Sequence, residues 1–562
     1  MSKKLACIAL SLSLILLAAC GAASTEAPPS SGTAQSAPAS SASAASKAAE
    51  SVPADAGGGL PIVSQPLTLD YWSSFPSKNA ETRKSLGEVT AYQELEKRTG
   101  ITINWQHPPI GQENEQFNLM IASGDIPDMI YYNWQNAPGG PAKYIDDGLI
   151  LKLNDVIEQS APNLRAVYEQ YPEAGIQSQL DDGTFYMFPF IKPDSSIRTY
   201  NGPIVRKDWL DKAGLERPVT IDDWYIMLKA FKEQDPNENG EADEIPFVSV
   251  KLNTIKWFAG AWGMKLRMDS ENTGPFYQSE GKVHFGPMED DYQEYLTVMR
   301  RWYAEGLIDP DFAATDSTRQ NALISGNQAG AFWGGASGGL GKFLNSVPES
   351  VPGFDLTAVQ YPAGKAGVNY NIHPDTVNSI PGTGAAITTV NKHVEETVKW
   401  FDYMYGEEGA RLMNFGIEGD TYEMVNGEPI YTDVILNDPE GRSPDIMVAS
   451  HTTTPQETSV YATGYYTQML FLPQQKEALS IWGDGDFSLN LPPISYTSEE
   501  SQRLATIMNE VNTYVDETFV RFIMGQEGVD DFEVFRGNLK NMNIEEAVSI
   551  AQAALERYQA RA

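Results

Sequence analysis

Between residues 67 and 131 the hydrophobic period of the chain switches back and forth between that of a strand and that of a helix. Leu67, Leu69 and Tyr71 alternate, as in a strand with one buried face. Val89, Tyr92 and Leu95 then recur three apart, as on one helix face, and Gly100 is a natural stop because glycine accepts the left-handed backbone at a helix C-terminus. Ile101, Ile103 and Trp105 alternate again. Phe117, Met120 and Ile121 mark a second helix face, closed by Ser123-Gly124-Asp125, and Pro127-Asp128-Met129-Ile130-Tyr131 enters a third strand. Strand, helix, strand, helix, strand predicts α/β layering around a parallel sheet. The pattern returns late in the chain, where residues 385–390 read as a strand and Val394, Val398 and Phe401 as a helical apolar stripe.

Ahead of this body lies a different kind of sequence. Lys3 and Lys4 precede a nearly unbroken apolar run over residues 5–19, too short for a relaxed membrane span of ~20 residues. A basic start, an apolar core and small residues at the exit have the layout of a secretory signal. The exit, Leu17-Ala18-Ala19-Cys20-Gly21, resembles the bacterial lipobox. That resemblance implies cleavage after residue 19 and a diacylglyceryl group on the Cys20 thiol. Only Cys7 and Cys20 are present. With Cys7 in the removed segment and Cys20 lipidated, a disulfide or a zinc cluster is excluded. Residues 20–65 are dominated by Ala, Ser, Pro and Gly and read as an anchor followed by a flexible tether.

The remainder, about 66–562, is long enough to bury a large core in more than one lobe. The formal charge of −35 argues against nucleic acid, which needs clustered Lys and Arg, and disfavours strongly anionic ligands.

Several blocks in order carry a resemblance. Ile121-Ala122-Ser123-Gly124-Asp125-Ile126-Pro127-Asp128 resembles the ASGDxPD block of family 1 extracellular solute-binding proteins. Gly183-Thr184-Phe185-Tyr186-Met187-Phe188-Pro189 and Val205-Arg206-Lys207-Asp208-Trp209-Leu210 resemble two further blocks of that family. Phe415-Gly416-Ile417-Glu418-Gly419 and Met424-Val425-Asn426-Gly427 resemble a late block of its lipoprotein branch with oligosaccharide partners. The resemblance implies an α/β, two-lobed clamp of the periplasmic-binding-protein type (type II), with discontinuous lobes and a hinge. The first lobe is expected at 66–195 plus 380–430 and the second at 196–379 plus 431–562. The implied function is capture of an oligosaccharide by a monomer held to the outer face of the cell membrane, and its delivery to the permease subunits of an ABC transporter. A peptide, another polar solute or a single sugar stays open as cargo, and a sensor or adhesion protein of the same fold stays open as a role.

One local motif points to a metal. In Asp235-Pro236-Asn237-Glu238-Asn239-Gly240-Glu241-Ala242-Asp243-Glu244, oxygen-bearing side chains stand at positions 1, 3, 5, 7 and 9, with Gly at position 6. Alternate oxygens around a tight turn suit calcium, which takes ~6–8 oxygen ligands. The loop departs from the EF-hand at position 12, which is Pro246, and Glu244 is the substitute for the missing acidic ligand. It resembles the calcium site of alginate-binding members of the family. That implies a structural Ca2+ held by the side chains of Asp235, Asn237, Asn239, Asp243 and Glu244 and the backbone carbonyl of Glu241. A solvated acidic turn is the alternative.

Sugars present flat apolar ring faces rimmed by hydroxyls, and sites answer with aromatic platforms and with amide and carboxylate hydrogen bonds. The candidates for the cleft are Trp72 and Trp134 after strands, Trp257 and Trp262 in an aromatic segment, Trp333 in a Gly-rich strand end, and Tyr370 and Asn371 before the crossing back to the first lobe. Each has core packing as its competing reading. Gly335-Ala336-Ser337-Gly338-Gly339 fits the G-x-S-x-G nucleophile elbow, with His373, His393 and His451 as bases on paper. Glycine-rich sequence alone explains that match, and the chain is expected not to be an enzyme. A glycoside hydrolase, which needs only two carboxylates, is the residual alternative.

Overall fold

The computed structural model describes residues 59–266, 276–364, 367–373, 378–452, 458–528 and 531–561. Cys20, the signal segment and the tether as far as residue 58 lie outside this set. Contacts gather the described residues into one compact unit. Among the described residues no helix is long and apolar enough to cross a membrane.

In chain order the strands are β1 (Leu67–Trp72), β2 (Ile101–Gln106), β3 (Met129–Asn133), β4 (Phe188–Ile191) and β5 (Asn201–Arg206). Then come β6 (Ile245–Val248), β7 (Phe276–Ser279), β8 (Lys282–Phe285), β9 (Ala329–Gly335) and β10 (Leu356–Ala358). β11 (Thr383–Ile387), β12 (Tyr422–Val425), β13 (Glu428–Tyr431) and β14 (Ser459–Val460) complete the set.

The alternation at the start of the body forms the parallel sheet it predicts. β1 pairs with β2 from Leu67↔Ile101 to Trp72↔Gln106, and with β3 at Tyr71↔Met129, both in parallel. The helices Thr90–Thr99 and Glu113–Ser123 make the crossovers. Each ends on a left-handed glycine, Gly100 at φ 76° and Gly124 at φ 74°, whose N–H donates to the carbonyl four residues back. β11 joins antiparallel to β3, β4 antiparallel to β11, and β14 parallel to β4, which gives the order β14-β4-β11-β3-β1-β2. A second sheet has the order β10-β5-β9-β6 and its own core around Trp209, Trp224, Phe247 and Trp302. Within it the Arg206-Lys207-Asp208-Trp209 block is structural. The Arg206 guanidinium is buried over the Trp209 and Phe354 rings, 4.5 Å from each centroid, and donates twice to Asp208 at 2.8 and 2.7 Å.

The chain crosses between the sheets from β4 to β5, back from β10 to β11, and again after β14 to the helix Pro473–Gly483, which packs on β10. The last crossing differs from the sequence reading, which assigns everything after residue 430 to the second lobe. β14 hydrogen-bonds to β4 in the first sheet. The helix Pro444–His451 sits against the helix Ser77–Ala80, with Asn79 Nδ2 donating to Ala449 O at 2.6 Å. A two-residue strand satisfies the open edge of β4 and carries too few residues to announce itself by period.

Two half-buried histidines, His107 and His451, hold separate segments together. His107 Nδ1–H donates to Ser73 O at 2.9 Å, and its Nε2 accepts the Leu86 N–H at 3.1 Å. A second proton would meet that N–H head-on, and burial pulls the His107 pKa below its usual value of 6.5. Burial, helped by the Arg83 charge, also pulls His451 down. A histidine kept neutral by folding contributes stability above its unfolded pKa and loses it as pH falls through the lower folded value. The melting temperature is therefore expected to fall below pH 6.5, and the His107→Gln/His451→Gln double variant to show a shallower fall in a parallel thermal-melt series.

Candidate functional site

β9 ends in Trp333-Gly334-Gly335, beside the start of β5 at Pro203↔Trp333. The short helix Trp257–Trp262 brings a second indole against it. The Trp257 and Trp333 rings are stacked at 3.9 Å with 14° between planes, and His373 lies parallel to Trp257 at 5.1 Å. Tyr361 meets Trp333 edge-on at 5.2 Å. Trp333, Trp262 and Tyr370 are half-buried. Tyr370 runs against the same helix so closely that a Cβ at Gly260 would sit 2.9 Å from its carbonyl oxygen. Trp257, Trp262, Trp333 and Tyr370 are thus brought together on the second-sheet side.

The other sequence candidates are placed differently. Trp134 is fully buried in the first core, ringed by Phe117, Tyr132 and Tyr144, and its Nε1 donates to Gly384 O at 3.0 Å. An indole with its N–H bonded and its ring covered has no face for a ligand. Asn371 is also fully buried: Nδ2 donates to Trp482 O at 3.0 Å and Oδ1 accepts from His373 N–H at 3.0 Å, so it holds the aromatic loop in place. Trp72 is buried against Phe117 and Tyr132. Ser337 follows β9 in a turn that leads into the helix Lys342–Ser346, while His393 is exposed at the start of Val394–Tyr403.

A cavity of about 410 Å³ opens where the first sheet faces the C-terminal helices. Its polar wall comprises Gln135 and Asn136 after β3, Gln177 and Gln179 ahead of β4, and Ser495 and Asn512 from the C-terminal segment. Phe276, Leu504 and Met508 give it an apolar floor. This is the carboxyl edge of the parallel strands, where open α/β sheets bind ligands. The aromatic loop and the cavity share a support: Asn490 Nδ2 donates to Asn371 O at 2.8 Å, two residues before Pro492 enters the cavity wall. The sequence candidate Trp134 stands one residue short of this wall. The short turn after β3 buries the indole and sends Gln135 to the cavity.

An ion cluster closes one side of this wall. Arg557 on the last helix donates to Asp181 and, at 2.6 and 3.0 Å, to Glu500. Arg561 Nη1 donates to the carbonyls of Gln179 and Leu180, each at 2.8 Å. Ser495 Oγ donates to Asp181 Oδ1 at 2.7 Å. These bonds join the segment before β4 to the C-terminal helices. Because the pairs are only partly screened from water, Arg557→Gln is expected to cost about 1–2 kcal/mol in denaturant unfolding. Asp181→Asn should cost a similar amount, and the double variant less than the sum, because the two substitutions share the Arg557–Asp181 pair.

The loop expected to hold calcium is wound tightly around its own side chains. Asp235 accepts from the Asn239 and Gly240 N–H groups at 3.2 and 3.1 Å, Asn237 from Asn239 N–H at 3.1 Å, and Asn239 from Glu241 N–H at 2.7 Å. Asp243 Oδ1 accepts from Asn237 and Asn239 side chains at 3.1 and 3.0 Å, and Oδ2 from Gln328 at 2.8 Å. Burial opposes ionisation of Asp243, but those three amides prevail and hold its pKa below the usual range. Glu244 is 2% exposed and its Oε1 has no hydrogen-bond partner. Burial, with the Asp243 and Asp235 charges acting the same way, pushes its carboxyl up. Among the described residues no group of three or more Asp, Glu, His or Cys side chains forms a metal cage. The loop mixes carboxylates with carboxamides.

The family model described as bacterial extracellular solute-binding protein matches residues 79–411, more than half of the chain, and the protein belongs to that family. The fructooligosaccharide ABC transporter substrate-binding protein FusA of Streptococcus pneumoniae serotype 4 is 28% identical over 506 residues, 85% of this chain and 88% of the relative. Lipoprotein LipO of Bacillus subtilis is 28% identical over 347 residues, 59% of this chain and 64% of the relative. Among solved structures, alginate-binding protein AlgQ2 without calcium ion matches with TM-score 0.71 and 25% identity, over 88% of this chain and 99% of that one. S. pneumoniae FusA in complex with kestose matches with TM-score 0.70 and 26% identity, over 88% and 100%. The fold is the two-lobed α/β clamp of solute-binding proteins.

Proposed function

We propose that the protein is a lipid-anchored extracytoplasmic binding protein that captures an oligosaccharide and delivers it, as a monomer, to an ABC permease. The carrying observation is a cavity in a solute-binding fold whose amides and hydroxyls converge over an apolar floor and whose wall is tied, through the Asn490–Asn371 hydrogen bond, to the segment that carries the half-buried Tyr370. This is the chemistry that sugar rings and hydroxyls call for. A relative of similar length that bears the name of a fructooligosaccharide transporter component supports the cargo class, and one named as a lipoprotein supports the Cys20 anchor. The cavity lining, among described residues, offers no carboxylate, whereas glycoside hydrolysis takes a pair of them. That favours capture without cleavage.

The loop from Asp235 to Glu244 is the proposed calcium site. A buried carboxylate with one oxygen unpartnered, close enough to feel the Asp235 and Asp243 charges, costs stability until a cation meets it. Asp235, Asn237, Asn239, Asp243 and Glu244 would hold the ion by side chains and Glu241 by its carbonyl. Bound calcium supplies a cross-link between the two ends of the loop.

In the source cell, deleting the protein should abolish uptake of the cargo glycan, and Cys20→Ser should release the protein from the membrane and lower uptake. Normal uptake in the deletion strain, with only a transcriptional response to the glycan lost, would favour a sensor instead.

A further inference from the structure

Among the described residues the cavity wall carries no charged side chain. Every described residue lining it is neutral at pH 7, and its polar side chains are amides and hydroxyls. Taking a carboxylate out of water into a partly enclosed site requires a cation or several N–H donors aimed at it, and arginine forks are the usual answer. Arg557 and Arg561 behind this wall are both paired with carboxylates, while Arg561 Nε and Nη2 make no hydrogen bond. Arg557 gives its guanidinium to Glu500 and Asp181, and Arg561 gives Nη1 to the Gln179 and Leu180 carbonyls with Asp181 3.2 Å from Nη2. Behind the wall Asp181 and Glu500 balance Arg557 and Arg561, so an anionic sugar entering here meets no net positive charge and a molecule with formal charge −35. Asn and Gln side chains each offer donor and acceptor, which suits adjacent sugar hydroxyls.

We infer, resting on the glycan-binding reading above, that the cargo is an uncharged oligosaccharide and that the cavity discriminates against uronic-acid, phosphorylated and sulfated glycans. Gln135 is a specificity-determining residue in this scheme, because it stands at the strand edge where a cation would serve an acidic sugar.

The test is calorimetric titration of the full-length protein in a sugar-free zwitterionic detergent. The ligands are neutral tetrasaccharides (fructan, xylan, mannan and glucan series) and tetramers of galacturonate and alginate. A neutral series is expected to bind with the uronides at least about 100-fold weaker. Neutral binding should also hold steady between ~20 and ~200 mM salt, because no ion pair forms. In Gln135→Lys, with the melting temperature unchanged, the neutral-to-uronide ratio should fall about 10-fold or more. A uronide binding as tightly as the best neutral sugar, or an unchanged ratio in the folded lysine variant, overturns the inference and leaves the glycan reading standing. If neither kind of glycan binds while a peptide does, the glycan reading itself fails.

Discussion

Chelating calcium is expected to lower the melting temperature of the protein by about 3–6 °C, since a ligand at a hundredfold excess over its dissociation constant adds about 2.7 kcal/mol to the native state. Asp235→Ala and Asp243→Ala should each remove most of that dependence. Asp235 orders the backbone of residues 239 and 240, and Asp243 gathers the Asn237 and Asn239 amides. Glu244→Gln separates a metal site from a merely acidic turn. Its carboxylate is buried and Oε1 is unpartnered, so the neutral amide relieves the calcium-free protein while weakening the calcium-bound one. The variant should be at least as stable as the parent in chelator and gain less from calcium. Equal melting temperatures of the parent in calcium and in chelator would remove the site.

Trp333→Ala should raise the dissociation constant for the cargo about 30- to 100-fold, in the range of an aromatic hot spot worth ~2–3 kcal/mol. The ring is half-buried and already held flat by Trp257 at 3.9 Å, so it would meet a sugar face without first losing side-chain freedom. The informative contrast is Trp134→Phe. That indole is enclosed and bonded to Gly384 O, so its loss should cost ~1–3 kcal/mol of stability and leave affinity unchanged. If Trp134→Phe weakened binding and Trp333→Ala did not, the aromatic cluster would be core and no more.

What the sequence reveals and what it hides follow from the range of the interactions. Strands β1 to β3 and their helices are legible because neighbouring residues determine them: a two-residue period, a three-residue stripe, a glycine at positive φ. The loop at 235–244 is legible for the same reason, since most of its donors and acceptors lie within ten residues of one another and only the contacts to Asn327 and Gln328 come from elsewhere. The aromatic cluster is half legible. Glycines beside Trp333 and a dense run of aromatics around Trp257 flag those positions, but burial decides which ring stays open. Trp134 and Asn371 look in sequence like the other candidates and are closed off by distant parts of the chain. The cavity is the least legible part. It joins Gln135 to Asn512 across most of the chain, and amides at such separations carry no local pattern. β14 escapes for another reason, being two residues long.

The most direct test of the central claim is a tryptophan-fluorescence titration of the intact protein with neutral oligosaccharides, followed by chromatography of the sugar after overnight contact. Capture for transport predicts a saturable change at one sugar per protein and a glycan recovered at its original length. Shortened products, or saturation by peptides alone, would contradict it.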